Sequence, residues 1–328
     1  MAVADLNGQG VGAGGVTFNV AAGHTETLAG KITMTATGTL ADPIVFQKSG
    51  AGANPKLTSY TGTVATPAVT ADGFWVLAGS DHVTIDGIDL EEAAANTTTT
   101  TVMEFGYGLF KASATNGCQD NTIRNCIITL NRLQNTTWTA PGHNGSTGIA
   151  VLNGLYTATG AVTPTAASGS NSNNKLYSNT IQNCNAGIVF LGFAATAGVG
   201  PTPNPVTFLG DLNNDIGGAG ASTGNSILNF GGGAATNPAT GVFGNHQWGL
   251  NVSYNTINNN DGAGVNHTTT LRGIFLNSSS TSASVNCNNN TITMHGGGSD
   301  RTVDVDRERL RYDSGRQCDQ HQQQRTER

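Results

Sequence analysis

The sequence predicts an all-β chain wound as a right-handed parallel β-helix, a solenoid with insertions looped out of its coils. Three observations predict it. The first is an internal repeat: Asn121-Thr-Ile-Arg-Asn125, Asn179-Thr-Ile-Gln-Asn183, Asn225-Ser-Ile-Leu-Asn229 and Asn255-Thr-Ile-Asn-Asn259, with Asn290-Thr-Ile keeping the first half and Val83-Thr-Ile-Asp-Gly87 as a degenerate copy. The second is a companion pattern of glycine followed by apolar residues at Gly73, Gly148, Gly187, Gly249 and Gly273. The third is composition. The 328 residues are 37% hydrophobic but only 11% charged, with 45 glycines and abundant Asn and Thr. Thr forms strands and Asn and Gly form turns, whereas the charged helix formers are scarce.

A unit of two or three short strands cannot bury its apolar face alone, so such units stack, each coil covering the next. The order of elements follows from the pattern. Ala2 to Asn7 reads as the close of a capping helix, and Gly15-Val-Thr-Phe-Asn-Val20 opens the first strand by its alternation. The Thr-Ile copies then mark successive coils, their isoleucines turned inward.

Asn at repeat corners tolerates left-handed backbone and bonds an equivalent Asn one coil away. Two ladders are therefore expected, Asn121, Asn179, Asn225, Asn255 and Asn290 in one and Asn125, Asn183, Asn229 and Asn259 in the other. Cys126, Cys184 and Phe230 follow the second set as inward residues. The copies are 30 to 58 residues apart, longer than a tight coil of roughly 20 to 29 residues. The surplus is assigned to insertions at 91–106, 136–146, 157–173 and 193–222, and binding is expected on such loops.

The solenoid is placed at residues 1–299, truncated at both ends. Residues 300–328 hold seven arginines and little strand signal, which reads as a disordered, non-native-looking tail. The open last coil is expected to favour a homodimer.

A net charge of −6 without a basic stripe excludes nucleic acid as partner. No run approaches the roughly 20 apolar residues of a membrane span, and the first ten residues lack a signal peptide. Five scattered cysteines give no metal spacing and read as small buried residues.

The run from Gly15-Val-Thr-Phe through Pro43-Ile-Val-Phe and Asp81-His-Val-Thr-Ile-Asp-Gly-Ile-Asp-Leu90, followed by the Asn-Thr-Ile rungs, resembles bacterial secreted proteins of the pectin-lyase-like β-helix superfamily over about residues 10–298. The resemblance implies the fold and an extracellular or cell-surface location, while the superfamily hosts lyases, hydrolases, adhesins and stalks. Polygalacturonase-like members carry Asn-Thr-Asp, Asp-Asp, Gly-His-Gly and Arg-x-Lys. Here Ile follows Asn-Thr, His295 is preceded by Met294, and the other two motifs do not occur. No arginine motif of the pectate-lyase kind surrounds Arg124, Arg132 or Arg272.

Two segments hold candidate chemistry. In Asp81-His82-Val-Thr-Ile-Asp86-Gly-Ile-Asp89-Leu-Glu91, alternation turns Val83, Ile85, Ile88 and Leu90 inward and the carboxylates outward with His82. Hard oxygens suit Ca²⁺, so Asp81, Asp86, Asp89 and Glu91 are candidate ligands, with Asp86 and His82 also candidate catalytic groups. Asp211-Leu-Asn-Asn-Asp215 begins like a calcium loop but lacks its later Gly and Glu. His246, beside Trp248, and His267, near Asp261, are candidate bases. Trp138 and Trp248 are candidate platforms for sugar rings.

Two functions follow. One is an extracellular module that binds carbohydrate or serves as an adhesive or structural stalk. The other is a Ca²⁺-dependent hydrolase or lyase acting on a polysaccharide or on a small ester or lactone through metal-activated water.

Overall fold

The computed structural model describes residues 2–63, 72–132, 146–158, 160–195, 203–231, 238–259, 267, 270–277 and 283–295. The charged tail, the end of the last coil, Trp138 and Asp261 lie outside these residues, and so do the expectations placed on them.

The chain is a parallel β-helix. Its strands form three long parallel sheets of eight, eight and seven strands, and each strand pairs with its counterparts one coil before and after. Sheet A runs from Val16–Ala21 through Val83–Asp86 to Asn286–Asn288, sheet B from Thr25–Thr27 through Asp89–Glu91 to Thr291–Thr293, and sheet C from Ile32–Met34 to Leu271–Asn277. Period-two alternation decides what faces inward: Ile85, Ile123, Leu176 and Ile216 from sheet A, and Leu90, Ile128, Ile181, Ile227 and Ile257 from sheet B, are all at most 1% exposed. Cys126, Cys184 and Phe230 are fully buried, as expected.

The first coil is closed by the helix Ala2–Gln9, which buries Leu6. Its Asn7 carbonyl accepts the Thr35 and Ala36 amides while its Nδ2 donates to the Thr33 carbonyl. One side chain thereby satisfies the free edge at the start of sheet C, which otherwise offers unpaired backbone to other chains.

The corners correct the expected ladders. Between sheets A and B, five turns are two residues long, and their first residues, Gly87, Asn125, Ser178, Tyr254 and Asn289, have φ between 53° and 67°. The second residue points inward: Ile88, Cys126, Asn179, Asn255 and Asn290. Asn179, Asn225, Asn255 and Asn290 form a ladder in which both the backbone N–H and Nδ2 of each Asn donate to Oδ1 of the next, at 2.9–3.1 Å.

Asn121 is not in that ladder. Its strand Thr122–Arg124 belongs to sheet A, one corner earlier, and Asn121 stacks instead on Asn174 and then Asn214. Asn125 shares the left-handed A-to-B corner, whereas Asn183 and Asn229 are left-handed at the corner after sheet B. The repeat Asn-Thr-Ile thus marks two different strands of the coil.

The glycine pattern is displaced in the same way. The inward column on sheet C is Gly106, Gly148, Gly187, Gly241 and Gly273, each facing an isoleucine of sheet B. Gly249 sits at a corner with φ 66°.

Candidate functional site

The acidic segment at residues 81–91 is laid over two sheets and a bend. Gly87 turns the chain with φ 67°, so Asp86 lies on the face of sheet A and Asp89 and Glu91 on that of sheet B. Each carboxylate has a protein partner. Asp86 takes the Arg124 guanidinium at 2.8 Å and Asn125 Nδ2 at 2.6 Å. Asp89 accepts Asn54 Nδ2 and the Ile127 amide, and Glu91 pairs with Lys56. Asp81 accepts the Gln119 amide at 2.7 Å, and its burial pushes its pKa up to about 6. His82, left-handed with φ 52°, holds Nε2 4.0 Å from Asp120. Among the described residues no group of three or more His, Cys, Asp or Glu gathers closely enough to hold a metal ion. Because the Asp86–Arg124 pair is solvent-washed, Asp86→Ala is expected to cost no more than about 1 kcal/mol in a denaturant titration.

Asp211 and Asp215 also diverge. Asp215 faces outward on sheet A and accepts Tyr177 Oη at 2.5 Å, Asn251 Nδ2 at 2.7 Å and the Gly218 amide at 2.9 Å. Asp211 is fully buried at the corner between sheets C and A, where it accepts the Asn171 amide at 2.9 Å and Gln247 Nε2 at 3.1 Å. Burial raises its pKa, and the buried Lys111 opposes the rise; burial in turn lowers that of Lys111, whose Nζ donates to the Gly169 carbonyl. The pair anchors the insertion 156–174.

His246 follows the sheet C strand Ala239–Asn245 with φ 54°. Burial lowers its pKa against the pull of Asp211, so its imidazole is neutral near pH 7. His267 is 2% exposed, its Nε2 3.2 Å from the Thr270 carbonyl. Trp248 is not an available platform. It is 1% exposed and packs edge-on against Phe208, with ring centroids 4.8 Å apart.

What the structure does gather lies on sheet C. Five A-to-B corners are two residues long, whereas the connections flanking sheet C include 92–104, 130–146, 156–174 and 192–210. Over the middle coils the outer face of sheet C is itself buried, with Val76, Ala78, Ala150, Leu152 and Val189 packed with Phe105 and Phe110 in a second apolar cluster.

The last two strands differ. Phe243 and Phe275 are register partners on this outer face, half-buried, with centroids 5.1 Å apart and planes 6° from parallel. The Arg272 guanidinium lies 4.3 Å from the Phe275 centroid. Two residues along each strand, Asn245 and Asn277 share the outer face, and His246 comes next. This strip escaped the motif reading, yet Gly241-Val-Phe-Gly-Asn245 and Gly273-Ile-Phe-Leu-Asn277 repeat it in the sequence.

The opposite margin of sheet C carries a pH-dependent fastening. Glu92 accepts the Met103 amide at 2.7 Å and the Asn131 amide at 2.6 Å, closing the insertion 92–104 and tying it to the next coil. Burial outweighs these bonds and pushes its pKa from 4.5 up to about 7. The folded state therefore holds this proton more tightly than the unfolded chain, and stability falls as pH rises from 4.5 through 7. The melting temperature is expected to be lower at pH 8 than at pH 5, and Glu92→Gln should flatten that slope. An unchanged slope in the variant assigns the dependence elsewhere.

No family model and no curated protein sequence matches the chain. Among the described residues no helix is long and apolar enough to cross a membrane. One similar solved structure is an alginate lyase from Paenibacillus sp. str. FPU-7, at 14% identity and a TM-score of 0.44, covering 84% of this chain and 72% of that one.

Proposed function

We propose that the chain is an extracellular β-helix module that binds carbohydrate on the outer face of sheet C. The observation that supports this reading is the placing of the insertions. Most turns between sheets A and B are held to two residues, while long insertions leave the solenoid on both margins of sheet C. A rigid face bordered by variable loops is the usual arrangement of a binding surface.

The accessible part of that face carries the groups a sugar requires. The Asn277 amide can donate and accept hydrogen bonds to hydroxyls, and Phe243 and Phe275 supply apolar C–H surface beside it. Their spacing repeats along the solenoid axis, the direction in which a linear glycan would present repeated units.

The test is binding to a panel of immobilised neutral and acidic polysaccharides, with product release monitored in parallel. Retention that is lost in the double variant Phe243→Ala/Phe275→Ala, with melting unchanged in Asn288→Ala and only slightly lowered in the double variant, supports the reading. Retention by no polysaccharide removes it and leaves a structural stalk.

A further inference from the structure

We infer that the free edge of strand Val16–Ala21, at the start of sheet A, docks one extended, uncharged segment of another polypeptide that carries apolar residues at alternate positions. The direction of the backbone groups is the first observation. The Val16 amide donates to the Pro43 carbonyl and the Ala22 amide to the Ser49 carbonyl, so the even-numbered residues turn their backbone groups toward strand Ile44–Ser49. Thr17, Asn19 and Ala21 therefore turn theirs the opposite way. Among the described residues those N–H and C=O groups meet no partner, and all three residues are exposed.

The first coil is closed unevenly. Asn7 of the helix Ala2–Gln9 satisfies the start of sheet C and Leu6 is buried against the core. No hydrogen bond from that helix reaches Val16–Ala21 among the described residues. The edge is six residues long and holds neither a charge nor a proline, and edges without such guards pair with other chains.

The helix also decides what fits. With side chains a helix is about 10 Å across, whereas a further coil stacks at about 4.8 Å. The helix over the core thus excludes a whole coil, such as the end of a second copy, and leaves room for a single strand beside sheet A. The inner face sets the pattern of that strand. Val16, Phe18 and Val20 pack on the core yet stay half-buried, and Phe18 stacks on Phe46 with centroids 4.6 Å apart. Strand Ile44–Ser49 covers them from one side, with Ile44 and Phe46 in register with Val16 and Phe18. An added strand continues the sheet when its apolar residues fall beside those three and its polar ones beside Thr17 and Asn19. Main-chain bonds then supply affinity and the alternation supplies specificity. Because the edge is uncharged, its complement is uncharged too.

The experiment titrates the full chain against a labelled, end-capped peptide, Lys-Val-Thr-Phe-Asn-Val-Lys, by fluorescence polarisation; the flanking lysines keep it in solution. Saturable binding is expected, at least about tenfold tighter than that of the permuted peptide Lys-Val-Phe-Val-Thr-Asn-Lys, a difference worth one to three hydrogen bonds. Methylating the peptide's backbone nitrogens at alternate residues should abolish binding for one set and spare it for the other, because only one set faces the protein. Asn19→Pro removes an edge-facing N–H and the exposed Gln47 contact, but no bond to Ile44–Ser49. Proline is tolerated on an edge strand, so this variant should melt like the parent and bind about tenfold more weakly. Should it fail to fold, the two methylated peptides decide. No binding, equal binding of the two peptides, or equal effects of the two methylated sets overturns the inference. So does a dimer of the chain alone in sedimentation that Asn19→Pro abolishes, since a second copy then occupies the edge.

Discussion

Asn225→Ala is expected to lower the unfolding free energy by about 4 kcal/mol, close to the loss of a core residue. Asn225 is 1% exposed and stands in the middle of the ladder from Asn179 to Asn290. Its Oδ1 accepts the Asn179 amide at 3.0 Å, and its Nδ2 donates to the Leu176 carbonyl at 2.8 Å. Truncation leaves the Asn179 amide buried without a partner, at about 1–3 kcal/mol, removes the acceptor of Asn179 Nδ2 and one of the two donors to the Leu176 carbonyl, which keeps the Gly217 amide, and opens a gap as well. Asn288, half-buried on the outer face of sheet A and bonded at 2.7 Å only to its neighbour Asn286 through its side chain's Nδ2, provides the contrast; its alanine variant should stay within about 0.5 kcal/mol.

The loss should also be local. In a solenoid each coil touches only its neighbours, so stability is close to a sum over coils. Hydrogen exchange is therefore expected to quicken first at Thr180–Gln182 and Ser226–Leu228, the strands that flank the broken rung. Uniform quickening over the whole chain would show that the coils unfold as one unit.

The ladder also shows how far the sequence reaches. Period-two alternation and the Thr-Ile repeat were enough to place Ile181, Ile227 and Ile257 inward and to identify parallel stacking. They could not separate Asn121 from Asn179, because an inward Asn precedes both the sheet A strand and the sheet B strand of a coil. Only pairing across coils distinguishes the two.

The same limit governed the candidate sites. Alternation correctly turned Asp86, Asp89 and Glu91 outward, but which lysine, arginine or amide meets each one depends on the coil above and below: Arg124 is 38 residues from Asp86, and Lys56 is 35 from Glu91. Trp248 reads as a platform from its residue type and its place beside His246. Phe208, delivered by an insertion of unpredictable path, buries it. The Phe243 and Phe275 strip was legible as a repeated Gly-[Val/Ile]-Phe-x-Asn, yet a phenylalanine between apolar neighbours reads as core until register places it outside.

Gly187→Ala is expected to destabilise the molecule by about 3 kcal/mol or more. Gly187 is the central member of the inward column Gly106, Gly148, Gly187, Gly241 and Gly273, and its backbone is not left-handed, so conformational freedom is not what requires glycine there. Space is. A Cβ at this position would lie 2.5 Å from the Gly241 carbonyl of the next coil and closer than 3 Å to Ile227 of sheet B. An isoleucine can change rotamer, but a carbonyl in a parallel ladder cannot move without lengthening the hydrogen bonds between Ala186–Leu191 and Ala239–Asn245. Overpacking of a rigid interior costs about 1–3 kcal/mol, and a collision with backbone lies at the upper end or beyond. Gly220, whose added Cβ meets nothing within 4 Å, is the matched control, and its alanine variant should melt like the parent. If Gly187→Ala and Gly220→Ala melt together, the sheets are not held as close as the column of glycines requires. If Gly187→Ala alone is rescued by Ile227→Val, the collision with the isoleucine dominates; if it is not, the carbonyl contact between coils sets the distance between sheets B and C.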